Sequence, residues 1–150
     1  MLRGLQIVVT GVVLAGFTLA GASVASAQEA PAKAAPVMAL EGDAAVITIL
    51  IKPDQTAAFE SVVAKYKEAL AKNDNPTRKT QLAGMKFFKS PTAAQGNAMY
   101  MIVVDPIVKG EEYDITRVVT EVFPVEVKEI YEKYKAAYAG RQIIVLNKVQ

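Results

Sequence analysis

The stretch Ala44–Lys52, AAVITILIK, constrains the fold more than any other part of the chain. Val46, Thr48 and Leu50 share one face of an extended segment, and Ile47, Ile49 and Ile51 share the other. Neither face carries a charge, so the segment reads as a central strand buried on both sides. Helices of the same chain are expected over one face and a second copy of the sheet over the other.

The residues that follow alternate between helical and extended patterns. Lys52-Pro53-Asp54 ends the strand, with Asp54 or Thr56 as candidate caps. Phe59, Val62, Val63, Tyr66 and Leu70 then form an apolar stripe on a helix reaching about Lys72, which Asn73–Pro76 breaks. Arg78–Ser90 is read as a second strand, with Gly84 marking a bulge or a close backbone approach and Lys86 and Lys89 marking an edge. Ser90–Asn97 forms a hairpin-type loop, and Ala98–Val104 is a third strand, apolar on both faces. After the loop Asp105–Tyr113, Asp114 caps a helix carrying Ile115, Val118, Val119 and Val122. Pro124 breaks it, and a further segment runs through Ile130, Tyr134 and Tyr138 to Gly140 as its C-cap. Gln142–Val149 is the last strand.

The order β-α-β-β-α-β is the ferredoxin-like arrangement, an α+β fold with a four-stranded antiparallel sheet and its helices on one face. A monomer of this kind would leave a large apolar sheet face in water, which soluble proteins rarely do. Two sheets packed face to face, as a homodimeric α/β barrel, remove that exposure.

The N-terminal residues Met1–Ala27 have the parts of a secretory signal: Arg3, the apolar run Leu5–Ala20, and Ala25-Ser26-Ala27 as a small-x-small cleavage site. The run is shorter than the roughly 20 residues of a spanning helix. Cleavage after Ala27 is expected, giving a periplasmic or secreted protein with no membrane segment; an uncleaved anchor is the alternative. Residues 28–42 are rich in Ala and Pro and read as a flexible leader, with the domain over residues 43–150.

The chain has neither Cys nor His. Thiolate nucleophiles, disulfides, Cys- or His-ligated metals, His-ligated haem and Ser-His-Asp triads are therefore excluded within one chain. No cofactor is implied. A formal net charge of +2 with scattered Lys and Glu gives no nucleic-acid footprint.

Four residues are candidates for binding a ligand. Tyr100 would place a hydroxyl in an apolar pocket if it faced the dimer interior, and would be a core residue if it faced the helices. Lys86, among Met85, Phe87 and Phe88, could hold an anion or lay its stem over the sheet with its head in water. Tyr113 and Arg117 could flank a pocket mouth and bind a carboxylate, or Arg117 could pair weakly with Glu121 one turn on. Tyr66, Tyr131, Tyr134 and Tyr138 are read as packing residues.

The segment ITILIKPDQTAAFE resembles the first strand, Lys-Pro turn and helix start of dimeric α/β-barrel proteins of the antibiotic-biosynthesis-monooxygenase-like type. The resemblance extends over roughly Ala44–Val149 and implies the fold and the dimer. It is nearest to small exported bacterial members without an assigned activity. The expected function is an exported module binding a small apolar molecule. The alternatives are a cofactor-independent quinol-type monooxygenase, in which Tyr, Lys or a carboxylate would take the proton, and a structural or interaction protein of the envelope.

Overall fold

In the computed structural model, residues 35–149 are described. The expected signal Met1–Ala27 and the leader through residue 34 lie outside them. Among the described residues no helix is long and apolar enough to cross a membrane.

The elements follow in the order β1 (Ala44–Ile51), α1 (Thr56–Lys72), α2 (Pro76–Ala83), β2 (Met85–Lys89), β3 (Ala98–Val104), α3 (Ile115–Val122), α4 (Val127–Ala137) and β4 (Tyr138–Leu146). The four strands form one antiparallel sheet in the order β2-β3-β1-β4. This is the ferredoxin-like topology: β1 and β3 are central, and β2 and β4 form the edges.

The sheet divides its residues by face. Ala45, Ile47, Ile49 and Ile51 of β1 are buried, as are Tyr100, Ile102 and Val104 of β3. They pack with Phe59, Val62, Tyr66 and Leu70 of α1 and with Val118 and Val119 of α3. Each such aliphatic or aromatic side chain contributes about 1.5–3 kcal/mol on leaving water. The other face of β1, with Val46, Thr48 and Leu50, is only half-buried. The expectation of burial on both sides is thus met on one side within the single chain. Directly opposed residues share a face, so register places Met99, Met101 and Val103 of β3 beside that open row. Ile144 and Leu146 of β4 and Phe88 of β2 extend it to both edges.

Several boundaries differ from the expectations. Pro76–Ala83 is a helix rather than the start of a strand, because Asn75 Oδ1 accepts the Thr77 N–H at 3.0 Å and Pro76 occupies the first turn. Gly84 follows that helix instead of bulging a strand, and it does make the close backbone approach: an added Cβ would lie 2.9 Å from the Pro106 carbonyl oxygen. β4 starts at Tyr138, so Gly140 lies within a strand and not at a helix C-cap. Pairing overrides the helical period there, with Tyr138 opposite Ile51 and the Ala137 carbonyl accepting the Lys52 N–H at 2.9 Å. At the start of α1 neither Asp54 nor Thr56 caps the helix; Asp54 Oδ2 accepts instead from Gln55 Nε2 at 3.1 Å.

The leader, expected to be flexible through Gly42, packs on the domain over its last residues. The Val37 and Met38 N–H groups donate to the two oxygens of Glu112, at 2.6 and 2.9 Å, and Leu40 is buried. The Met38 carbonyl accepts the Tyr113 N–H at 2.9 Å.

Candidate functional site

The hairpin β2–β3 places Lys89 directly opposite Tyr100, so both side chains lie on the helix-facing side. There they meet the first turns of α1. The Tyr100 hydroxyl donates to Glu60 Oε1 at 2.7 Å, and Lys89 Nζ donates to the same oxygen at 2.8 Å. The Phe59 ring stands edge-on to Tyr100, with centroids 4.8 Å apart. Lys89 Nζ also lies 5.5 Å from the Tyr100 ring centroid.

These groups line one end of a cleft of about 290 Å³ between α1 and the β2 edge of the sheet. Val63 and Ala64 of α1 and Phe87 of β2 make the rest of it largely apolar, with Lys67 Nζ 5.2 Å from the Phe87 ring centroid as a further charge on its wall. Phe88 and Met101 also border the cleft, so it adjoins the open face of the sheet.

The electrostatics hold protons in place. Lys89 and then Tyr100 keep the Glu60 carboxylate below the usual carboxylate range, against the opposing effect of burial. Burial first, and then the bond to Glu60, pushes the Tyr100 phenol up. The bond to Glu60 likewise raises Lys89. At neutral pH the set is a carboxylate, an ammonium and a neutral phenol. It can orient a ligand bearing a polar atom and shelter an apolar body, while Tyr100 stays a donor and does not act as a base.

Of the expected site residues, only Tyr100 lines this cleft. It is a helix-facing residue, not one turned to the open face. Lys86 stands exposed on β2 opposite Val103, at the corner of the open face. Tyr113 is buried, and its hydroxyl accepts the Val108 N–H at 2.8 Å, a packing role away from any mouth. Arg117 is exposed on α3, and its backbone N–H is capped by Asp114 at 3.1 Å. It does not meet Glu121 as expected, because Glu121 is engaged by Arg78 and Asn73. Among the described residues no group of three acidic side chains converges on a point that could hold a metal.

Sequence reading missed Glu60 and Lys89, which lie 29 positions apart and meet only through hairpin register. It also missed Arg78, which is 1 % exposed and joins α2, the 105–113 loop and α3. Arg78 Nε donates to Glu121 Oε2 at 2.9 Å, and its Nη1 donates to Gln81 Oε1 at 2.7 Å and to the Glu112 carbonyl at 2.9 Å.

A scan against protein families finds no match, and a search of curated proteins finds none. A solved structure described as a dimeric ferredoxin-like protein of unknown function, from Thermobifida fusca, is similar at 17% identity over 75% of this chain and 96% of that one, with a TM-score of 0.34. That likeness is too loose to carry an argument, and the ferredoxin-like fold of this chain rests on its own strand order and helix placement.

Proposed function

We propose that the protein is an exported homodimeric binding module whose α1–β2 cleft takes a small, mainly apolar molecule. The observation that carries this reading is the cleft itself: apolar walls with Tyr100, Glu60 and Lys89 gathered at one end. Pockets for small molecules have this composition, a greasy body with a few fixed polar groups. The protonation pattern favours holding a ligand over abstracting its proton, which sets the quinol-type oxygenase reading behind this one.

The second copy follows from the open face. Four strands and the length of β1 span roughly 19 by 27 Å. Val46, Leu50, Met101, Val103, Ile144 and Leu146 make that face mainly apolar, with Thr48 and Gln142 paired in its midst and Lys86 at one corner. An identical face has the same chemistry, and one two-fold axis covers both at once. Export rests on the signal-like sequence of Met1–Ala27.

Titration with a neutral solvatochromic dye, Nile red, tests the cleft. Saturable binding of one dye per chain that is lost in Val63→Glu supports it. Binding that ignores Val63→Glu, or that never saturates, overturns it.

A further inference from the structure

At the other edge of the sheet, α4 and β4 border a second groove of about 220 Å³, lined by Tyr131, Tyr134, Lys135, Tyr138 and Arg141. The rings of Tyr134 and Tyr138 meet edge to face with centroids 5.8 Å apart, and Lys135 Nζ lies 5.9 Å from the Tyr131 centroid. Three phenol rings give flat contact area for another ring. Burial pushes the Tyr134 phenol up to about 12, so it remains neutral.

Arg141 projects from the helix-facing side of β4, opposite Ile49. Its Nη1 donates to the Met38 sulfur at 3.3 Å. A thioether is a weak acceptor, and a guanidinium fork matches a carboxylate far better. Arg78 shows the contrast within the same chain, held by carboxylate and carbonyl oxygens. Among the described residues neither Arg141 nor Lys135 takes part in an ion pair. The carbonyls ending α4, whose negative dipole end would oppose an anion, are already covered. Lys52 Nζ reaches the Ala136 carbonyl at 2.8 Å and the Lys52 N–H reaches that of Ala137 at 2.9 Å.

We propose that this groove is a second binding site, specific for a small single-ring aromatic carboxylate, with the ring on the tyrosines and the carboxylate on Arg141. The cationic pair selects an anion and the rings select an aromatic body. The groove is smaller than the α1–β2 cleft, which favours a guest of about one ring. The groove and the α1–β2 cleft lie at opposite edges of the sheet, so either assignment can fail without the other.

Calorimetric titration of the purified full chain with 4-hydroxybenzoate, and with 4-hydroxybenzamide as its neutral counterpart, tests the site. The carboxylate is expected to saturate one site per chain and to bind at least roughly tenfold more tightly than the amide, the return of a charge-assisted bidentate contact. Arg141→Gln is expected to abolish that preference, Arg141→Lys to keep part of it, and Val63→Glu in the cleft to leave it unchanged. Arg141 is exposed on an edge strand, and an unchanged unfolding midpoint certifies the folded variant. Equal affinity for the two compounds, no saturable heat with millimolar carboxylate, or a preference that survives Arg141→Gln overturns the proposal.

Discussion

Arg78 and Glu121 form a two-toothed ion pair between α2 and α3, with the Arg78 Nε and Nη2 each donating to a different oxygen of Glu121. The guanidinium is enclosed while the carboxylate is about one-third exposed. Removing Arg78 leaves Gln81 Oε1 without its buried donor and the Glu112 carbonyl with Gln81 Nε2 alone. Arg78→Ala is expected to destabilise the chain by about 3 kcal/mol or more, the range for breaking a buried pair. Glu121→Gln keeps part of the geometry and is expected to lose about half as much. Urea unfolding followed by circular dichroism measures both, and an unchanged stability in Glu121→Gln would show that the charge of Glu121 is not what holds Arg78.

Glu112 sets a pH dependence. It is 6 % exposed, and burial alone would raise its pKa. The N–H groups of Asp114, Val37 and Met38 outweigh that effect and hold it below the usual carboxylate range. A depressed folded pKa stabilises the fold above the unfolded value of roughly 4.3, and this stability is lost as pH falls through the folded value. Hydrogen exchange at Val37 and Met38, corrected for the intrinsic rate at each pH, should therefore lose its protection in acid before the sheet amides do. In Glu112→Gln it should be fast already at neutral pH; slow exchange there would show that the carboxylate is not the anchor.

The Tyr100–Glu60–Lys89 set can be read directly by carbon-detected titration of Glu60. The carboxylate should titrate below its ordinary value of 4.5. Lys89→Met should move it up more than Tyr100→Phe does, since Lys89 is the stronger influence. The reverse order would place the phenol, and not the ammonium, in control of the cleft's charge.

The open sheet face should be sensitive to a single charge. Val103 lies on β3, one of its two central strands, between Val46 of β1 and Lys86 of β2. Val103→Glu is expected to halve the mass seen by light scattering while leaving the circular dichroism spectrum intact, because the buried side of β3 is untouched. A monomeric parent protein would remove the second copy from the proposed function.

Gly84→Ala isolates a steric effect. Gly84 has an ordinary φ of −82°, so no backbone strain is involved. The new methyl would meet the Pro106 carbonyl at 2.9 Å, a main-chain atom that cannot swing away. A loss of about 1–3 kcal/mol is expected from overpacking. Thermal unfolding measures it, and an unchanged midpoint would show that the 105–106 backbone yields freely.

The succession of strands and helices was legible because β1 and β3 are unbroken apolar runs and α1 carries a stripe at helical spacing. The break at Pro124 was legible because proline cannot sit that deep in a helix. α2 was not, since its buried residues are Arg78 and Gln81 and no apolar stripe announces it. The signal it does carry is Asn75-Pro76, an N-cap followed by a first-turn proline. The start of β4 was hidden because Tyr134 and Tyr138 keep a helical spacing while the pairing partner of Tyr138 lies far away in β1. Tyr100 could not be oriented from the sequence, because both faces of β3 are apolar. Glu60 and Lys89 were invisible as a pair because only the folded hairpin brings them together.

The strap of residues 37–43 also has a mechanical meaning. Its bonds to Glu112 and Tyr113 come first along the chain, and the Asp43 N–H bond to Leu146, at 3.0 Å, comes last. Glu112 is in turn gripped by Arg78 and Gln81 through its carbonyl. Tension arriving from the N-terminal side of residue 35 is therefore delivered to the α2–α3 cluster before it reaches β1. The sheet takes up load only at the Asp43 bond, whose acceptor Leu146 is the last residue of β4.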